Sequence, residues 1–140
     1  MLERRSRLSR TSGLQARPYH SLSTRQGLIA ALDSVVSKIV RKRDGHCLTC
    51  GTEDDLTCSH FYKRRFHSTR WSLANCHAQC SSCNNRHNVD PFPYLYALQE
   101  KIGKDAVLEL LKVRDSKIYF TDDQLRTMLD EFRAHLKGMA

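Results

Sequence analysis

Two C-x-x-C pairs, Cys47-Leu48-Thr49-Cys50 and Cys80-Ser81-Ser82-Cys83, are the residues whose type and spacing say most about chemistry. A C-x-x-C turn sets two thiolates on one side of a tight knuckle and aims backbone amides at the sulfurs. Two knuckles supply the four thiolates of a closed structural zinc site, which has no open position and hydrolyses nothing. Cys58 and Cys76 lie outside such pairs. They read as small buried thiols, with a replaced ligand or a second half-site as the alternative. Directly behind the second knuckle come Asn84, Asn85, Arg86 and His87. Asparagine is a poor helix former and a poor member of a thiolate shell, so two in that place need a reason. His77 and His87 are read as polar residues at a helix start.

The elements that must position these groups follow from periodicity. Leu28, Ile29, Leu32, Val35, Val36, Ile39 and Val40 recur at helical spacing, after a Ser23 or Thr24 cap and before Arg41, Lys42, Arg43 and a terminating Gly45. Residues 46–90 hold all six cysteines and few apolar side chains, so this piece needs a metal to fold. Within it, Leu56 to Phe61 reads as a strand and Trp71 to Cys76 as its hairpin partner, with a helix opening on the second knuckle. Knuckle, hairpin, helix is a treble-clef order. Further on, Asp90-Pro91-Phe92-Pro93 starts a helix through Tyr94, Leu98 and Ile102 that stops at Gly103. A second helix spans about Asp105 to Val113. Thr121 to Gln124 forms a capping box for a last helix with Leu125, Met128, Leu129, Phe132 and Leu136 on one face. The predicted fold class is α+β, mainly helical, a treble-clef zinc core flanked by an N-terminal helix and C-terminal helices. Three regions are expected: a disordered basic arm over 1–22, a zinc-stapled domain over 23–115, and a C-terminal helix over 116–140.

The 140 residues carry a net charge of +8, which points to a polyanionic partner, nucleic acid first. Arg41, Lys42, Arg43, Lys63, Arg64, Arg65, Arg70 and Arg86 flank the two knuckles in sequence and are the candidate phosphate contacts. No base-reading helix is evident, so selectivity for DNA shape is expected over selectivity for sequence. No apolar run reaches the length of a membrane span, and no membrane partner is expected. The first residues lack the apolar core of a secretory signal, so a reducing cytoplasm is expected, where paired cysteines hold zinc. The Arg/Ser-rich start also fits a mitochondrial transit peptide, the alternative address.

The order C-x-x-C, strand histidine, asparagine, C-x-x-C-Asn resembles the HNH (ββα-metal) nucleases, and within them the treble-clef branch that holds phage resolvases. Several phrases more closely resemble the phage NinG/Rap family of recombination proteins. They are Arg43-Asp44 before CLTCG, Ser59-His60-Phe61, Asn75-Cys76-His77-Ala78-Gln79-Cys80, Cys83-Asn84-Asn85, and Tyr94 with Lys101-Ile102-Gly103. The similarity covers about residues 26–111. It implies a DNA endonuclease acting on branched recombination intermediates such as Holliday junctions, in the cytoplasm of a bacterial host. His60 would be the general base, a role suited to an imidazole near neutral pH. Asn75 would hold the hairpin or orient His60. Asn84 would give an amide oxygen to a catalytic Mg²⁺ or Mn²⁺, which explains asparagine behind the knuckle. Asn85 and His87 would support or share that role. Where many relatives place a metal-binding aspartate before the histidine, this chain has Ser59, a weak ligand, with Asp54, Asp55 or Asp90 as substitute carboxylates. That departure carries the alternative: a zinc-stapled DNA-binding module without hydrolysis. Resolvases of this kind act as homodimers, since two strands need two cuts, and the C-terminal helices are the candidate contact.

Overall fold

The computed structural model describes residues 21–139, so the expected basic arm lies almost wholly outside the described residues. The chain folds as α1 (Arg25–Asp44), β1 (Leu56–His60), α2 (His67–Arg70), β2 (Cys76–Cys80), α3 (Ser81–His87), α4 (Phe92–Ile102), α5 (Lys104–Asp115) and α6 (Asp122–Gly138). This is α+β and mainly helical, with one antiparallel two-stranded sheet among the described residues.

The ends of α1 are set by local chemistry. The Thr24 hydroxyl accepts from the Gly27 amide, a cap worth about 1 kcal/mol over alanine. At the other end Gly45 sits at φ +68°, where a side chain would be strained, and its amide closes on the Arg41 carbonyl. Between them Leu28, Leu32, Val35, Val36, Ile39 and Val40 are buried, each gaining roughly 1.5–3 kcal/mol by leaving water. Their partners are Trp71, Cys76 and Ala78 on one side and Leu125 and Leu129 of α6 on the other. The Thr121–Gln124 capping box is present and starts α6, which then lies along α1. A second, smaller cluster joins Tyr94 and Leu98 of α4 to Val107 and Leu110 of α5.

The hairpin partner of β1 is Cys76–Cys80, which corrects the expected Trp71–Cys76. Register pairs Leu56 with Cys80, Cys58 with Ala78 and His60 with Cys76. All five residues of β2 are buried, so the strand shows none of the alternation that marks a half-exposed one. One face meets α1; the other meets Tyr94 of α4, whose hydroxyl lies 3.4 Å from His77 Nδ1 and 3.2 Å from the Ser59 carbonyl. Trp71 follows α2 as its C-cap, and tight turns through Ser72 and Asn75 lead into β2.

An ion bracket around the buried Asp44 carboxylate holds the end of α1 on the sheet. Asp44 accepts from Arg43 at 2.7 Å, from Lys101 of α4 at 2.9 Å and from the Ala78 amide at 2.8 Å. Burial acts to raise the Asp44 pKa, but these donors outweigh it and hold the carboxyl well below the usual carboxylate range.

Candidate functional site

The first knuckle folds because Gly51 takes φ +79° and its amide returns to the Cys47 carbonyl at 2.9 Å. The Leu48 amide then pairs with the Ala78 carbonyl at 2.8 Å, which docks the knuckle on β2. Cys80 ends β2 and caps α3, its sulfur accepting from the Cys83 amide. The ligand atoms of Cys47, Cys50, Cys80 and Cys83 all lie within 4.8 Å of one another. This donor set fits a structural metal such as zinc. The thiols also compete for charge. Burial raises Cys47, yet the amides of Cys50 and Cys80 and the Thr49 hydroxyl bring it down to about 6. The Thr49 contact favours the Cys83 thiolate, but burial and the three neighbouring sulfurs outweigh it and push Cys83 up to about 12. A cation is what lets all four ionise together.

A cavity of about 350 Å³ opens beside β1, lined by Asp33 and Ser37 of α1, Cys58 and His60, Lys63 and Arg64, Asn84 of α3 and its C-cap Asn88. The structure therefore brings His60, Asn84, Lys63 and Arg64 to one place. His60 Nε2 lies 2.9 Å from the Arg70 carbonyl. A carbonyl only accepts, so Nε2 carries the hydrogen and the lone pair is on Nδ1. Burial lowers the His60 pKa from its ordinary value, outweighing the Arg70 carbonyl, with the Arg64 charge adding to the fall. The imidazole is neutral at pH 7.

The Arg70 carbonyl is itself fixed. Asp33 receives Arg70 through both oxygens, at 2.9 and 2.6 Å, and also the Trp71 indole at 2.9 Å. Asp33 escaped the sequence reading because a lone aspartate in a helical stripe carries no signal. Asn75 is fully buried. Its Oδ1 accepts from the Tyr62 amide at 2.8 Å, and its Nδ2 donates to the Tyr62 and Thr69 carbonyls at 3.1 Å each. It clamps the loop that carries Lys63, Arg64 and Arg70, and touches His60 through no hydrogen bond of its own. Ser59 is buried on the opposite face of β1 from His60 and donates to Asn84 Oδ1 at 3.0 Å, while Asn84 Nδ2 donates to Thr57 at 3.2 Å. The Asn84 amide is thus held at both ends by β1.

Other expected residues go elsewhere. His87 is buried under Phe61 and Tyr94, its Nε2 2.9 Å from the Phe61 carbonyl. With Arg86 and Asp90 it lines a separate cavity of about 120 Å³ beside Cys50 and Cys83. His87 Nδ1 and Gln79 Oε1 are buried there without a hydrogen-bond partner among the described residues. His77 is buried against Tyr94, and burial lowers its pKa to about 4. Arg43 is spent on Asp44 and on the carbonyls of Leu73 and Cys76, and Arg70 on Asp33, so neither guanidinium is offered to a phosphate. Arg41, Lys42, Arg64, Arg65 and Arg86 are exposed. Asp54 and Asp55 do not line the His60 cavity.

The sequence family described as "Bacteriophage Lambda NinG protein" matches residues 3–140. "Protein ninG" of Escherichia phage 933W is 26% identical over 127 residues, and that of Salmonella phage P22 is 28% identical over 128 residues. Each alignment covers 85% of this chain and 61% of the relative, so the chain spans about three-fifths of the length of these curated relatives. No solved structure matches. Among the described residues no helix is long and apolar enough to cross a membrane.

Proposed function

The chain belongs to the bacteriophage NinG family, and from that premise we propose that it is a metal-dependent endonuclease of the HNH type that hydrolyses DNA phosphodiester bonds at branched recombination intermediates. The observation that carries the reading is the setting of His60. Its ring is anchored through Nε2–H on the Arg70 carbonyl, its lone pair is free on Nδ1, and it lines the same cavity as Asn84, Lys63 and Arg64. A base oriented by a third group beside cationic side chains is the arrangement phosphoryl chemistry needs.

In this reading the structural Zn²⁺ binds Cys47, Cys50, Cys80 and Cys83, and the knuckle–hairpin–helix unit is a treble clef. It presents β1 and α3 side by side. Lys63 and Arg64 position the phosphate backbone, with Arg41, Lys42 and Arg65 as outlying contacts. His60 Nδ1 takes a proton from the attacking water, and the imidazolium that forms keeps its Nε2–H bond to Arg70. The donor set fits a weakly held hard ion. Asn84 brings a neutral amide oxygen, but Asp33, the carboxylate on the cavity wall, is committed to Arg70 and Trp71. When bound, Mg²⁺ or Mn²⁺ would stabilise the charge on the departing 3′ oxygen, drawing most of its shell from water and phosphate. A bacterial host cytoplasm is the proposed setting, and a homodimer the proposed assembly.

The second reading is a zinc-stapled module that binds branched DNA without cutting it. The double anchoring of Asn84 to Ser59 and Thr57 favours it, since an amide tied at both ends is a structural bracket. The test is cleavage of labelled four-way, flap and linear duplex DNA with Mg²⁺ or Mn²⁺. Divalent-dependent cutting that prefers branched substrates supports the nuclease. Tight binding of branched DNA with no cutting under either ion supports the module.

A further inference from the structure

We infer that Cys58, His60 and Cys76 form a second metal site, distinct from the four-thiolate centre, that takes a thiophilic divalent ion such as Zn²⁺ and thereby sequesters the His60 imidazole. The metal-binding part stands on geometry alone; its consequence for activity rests on the reading of His60 as the base.

The hairpin register builds the site. Cys58 and His60 are two apart on β1, so both project from one face of the strand. Cys76 stands directly opposite His60 across the antiparallel pair. The two sulfurs and a ring nitrogen of His60 lie within 4.8 Å of one another. None of the six cysteines is in a disulfide; the Cys76 thiol donates to the Arg70 carbonyl at 3.4 Å, a bond it would exchange for the metal. Arg43 donates to the Cys76 carbonyl at 2.7 Å, which fixes the backbone at that ligand. The His60 ring is oriented as metal-ligating histidines are, with its other N–H on a backbone carbonyl.

Ligand chemistry decides the ion. Two thiolates and one imidazole are a soft to borderline set that suits zinc and rejects Mg²⁺ and Mn²⁺. Three protein ligands leave a fourth position. Cys58 and His60 line the open cavity, so a water or a phosphate oxygen can reach it. A neutral imidazole has one lone pair, and the pair that would accept a proton from water is the pair that would bind the metal. The hard-ion chemistry and the soft-ion site therefore exclude each other at one nitrogen.

The test uses the full reduced chain with its first zinc in place. Added Co²⁺ should bind to about one further equivalent and give thiolate-to-cobalt charge-transfer absorption. That absorption should be lost in Cys58→Ala and in His60→Ala, and retained in Asn84→Ala. Absence of the band in wild type, or its survival in both Cys58→Ala and His60→Ala, would overturn the site. The activity arm is separate. Zn²⁺ beyond the first equivalent should inhibit Mg²⁺-dependent cleavage, and Cys58→Ala should need at least about tenfold more Zn²⁺ for the same fractional inhibition, which corresponds to a tenfold weaker site. Equal sensitivity of wild type and Cys58→Ala would overturn the sequestration. If no protein cuts DNA, the nuclease reading fails and the cobalt spectrum still decides the site.

Discussion

Replacing Asn75 by alanine should loosen the hairpin without touching a metal ligand. The amide makes three hydrogen bonds, all to backbone, and is 0% exposed. A hydrogen bond contributes about 1 kcal/mol net, and a buried backbone group left without a partner costs about 1–3 kcal/mol. Losing the two donated bonds and orphaning the Tyr62 amide sums to roughly 3–5 kcal/mol, a large part of the ~5–15 kcal/mol that stabilises a small domain. With an m-value of about 2 kcal/mol/M, the urea midpoint should fall by about 2 M. Urea unfolding at fixed, saturating zinc measures this. Asn75→Asp keeps an acceptor for Tyr62 N–H but loses both donors and sets a carboxylate against two carbonyls. It should be at least as destabilising as alanine at pH 7. A midpoint shift under about 0.5 M for Asn75→Ala would refute the clamp, since that is below the contribution of one such bond.

Zinc removal with a strong chelator, or Cys47→Ser, should unfold β1, β2 and α3 while α6 retains its helicity; amide hydrogen exchange resolves the two regions. His77 has a folded pKa of about 4 against an ordinary 6.5, so the unfolded chain binds its proton first as pH falls. Its contribution is fully present above pH 6.5 and is lost as pH drops towards 4, on the order of 3 kcal/mol in all. The stability difference between pH 7 and pH 5 should accordingly shrink in His77→Gln, and ring-proton NMR should show His77 neutral at pH 5. Lys63→Ala and Arg64→Ala should each reduce the salt slope of duplex binding by about one. Arg43→Ala should instead lower thermal stability and leave that slope unchanged, because its guanidinium serves Asp44 and two carbonyls.

What the sequence made legible was local. Thr24, Gly45 and the Thr121–Gln124 box mark helix ends because capping is settled within four residues, and the C-x-x-C knuckles mark themselves by spacing. The position of β2 was not legible. Its five residues are covered on both faces, so apolar and polar side chains do not alternate, and Trp71 drew the strand forward although it packs as a helix cap. Pair partners were equally hidden. Arg43 and Arg70 look like phosphate ligands in a basic chain, and only the fold reveals that Asp44 and Asp33 take them. The meeting of Cys58, His60 and Cys76 depends on strand register, which periodicity does not fix when neither face is exposed.

The measurement that bears most directly on the account sets wild type beside His60→Ala on one labelled four-way junction, with cutting and binding read in the same samples at fixed zinc and added Mg²⁺. The account predicts that wild type cuts, that His60→Ala falls at least about a hundredfold in rate as expected for loss of a general base, and that both bind equally well. Equal cutting by the two proteins would remove His60 from the chemistry, and binding by both with cutting by neither would leave the chain a DNA-binding module.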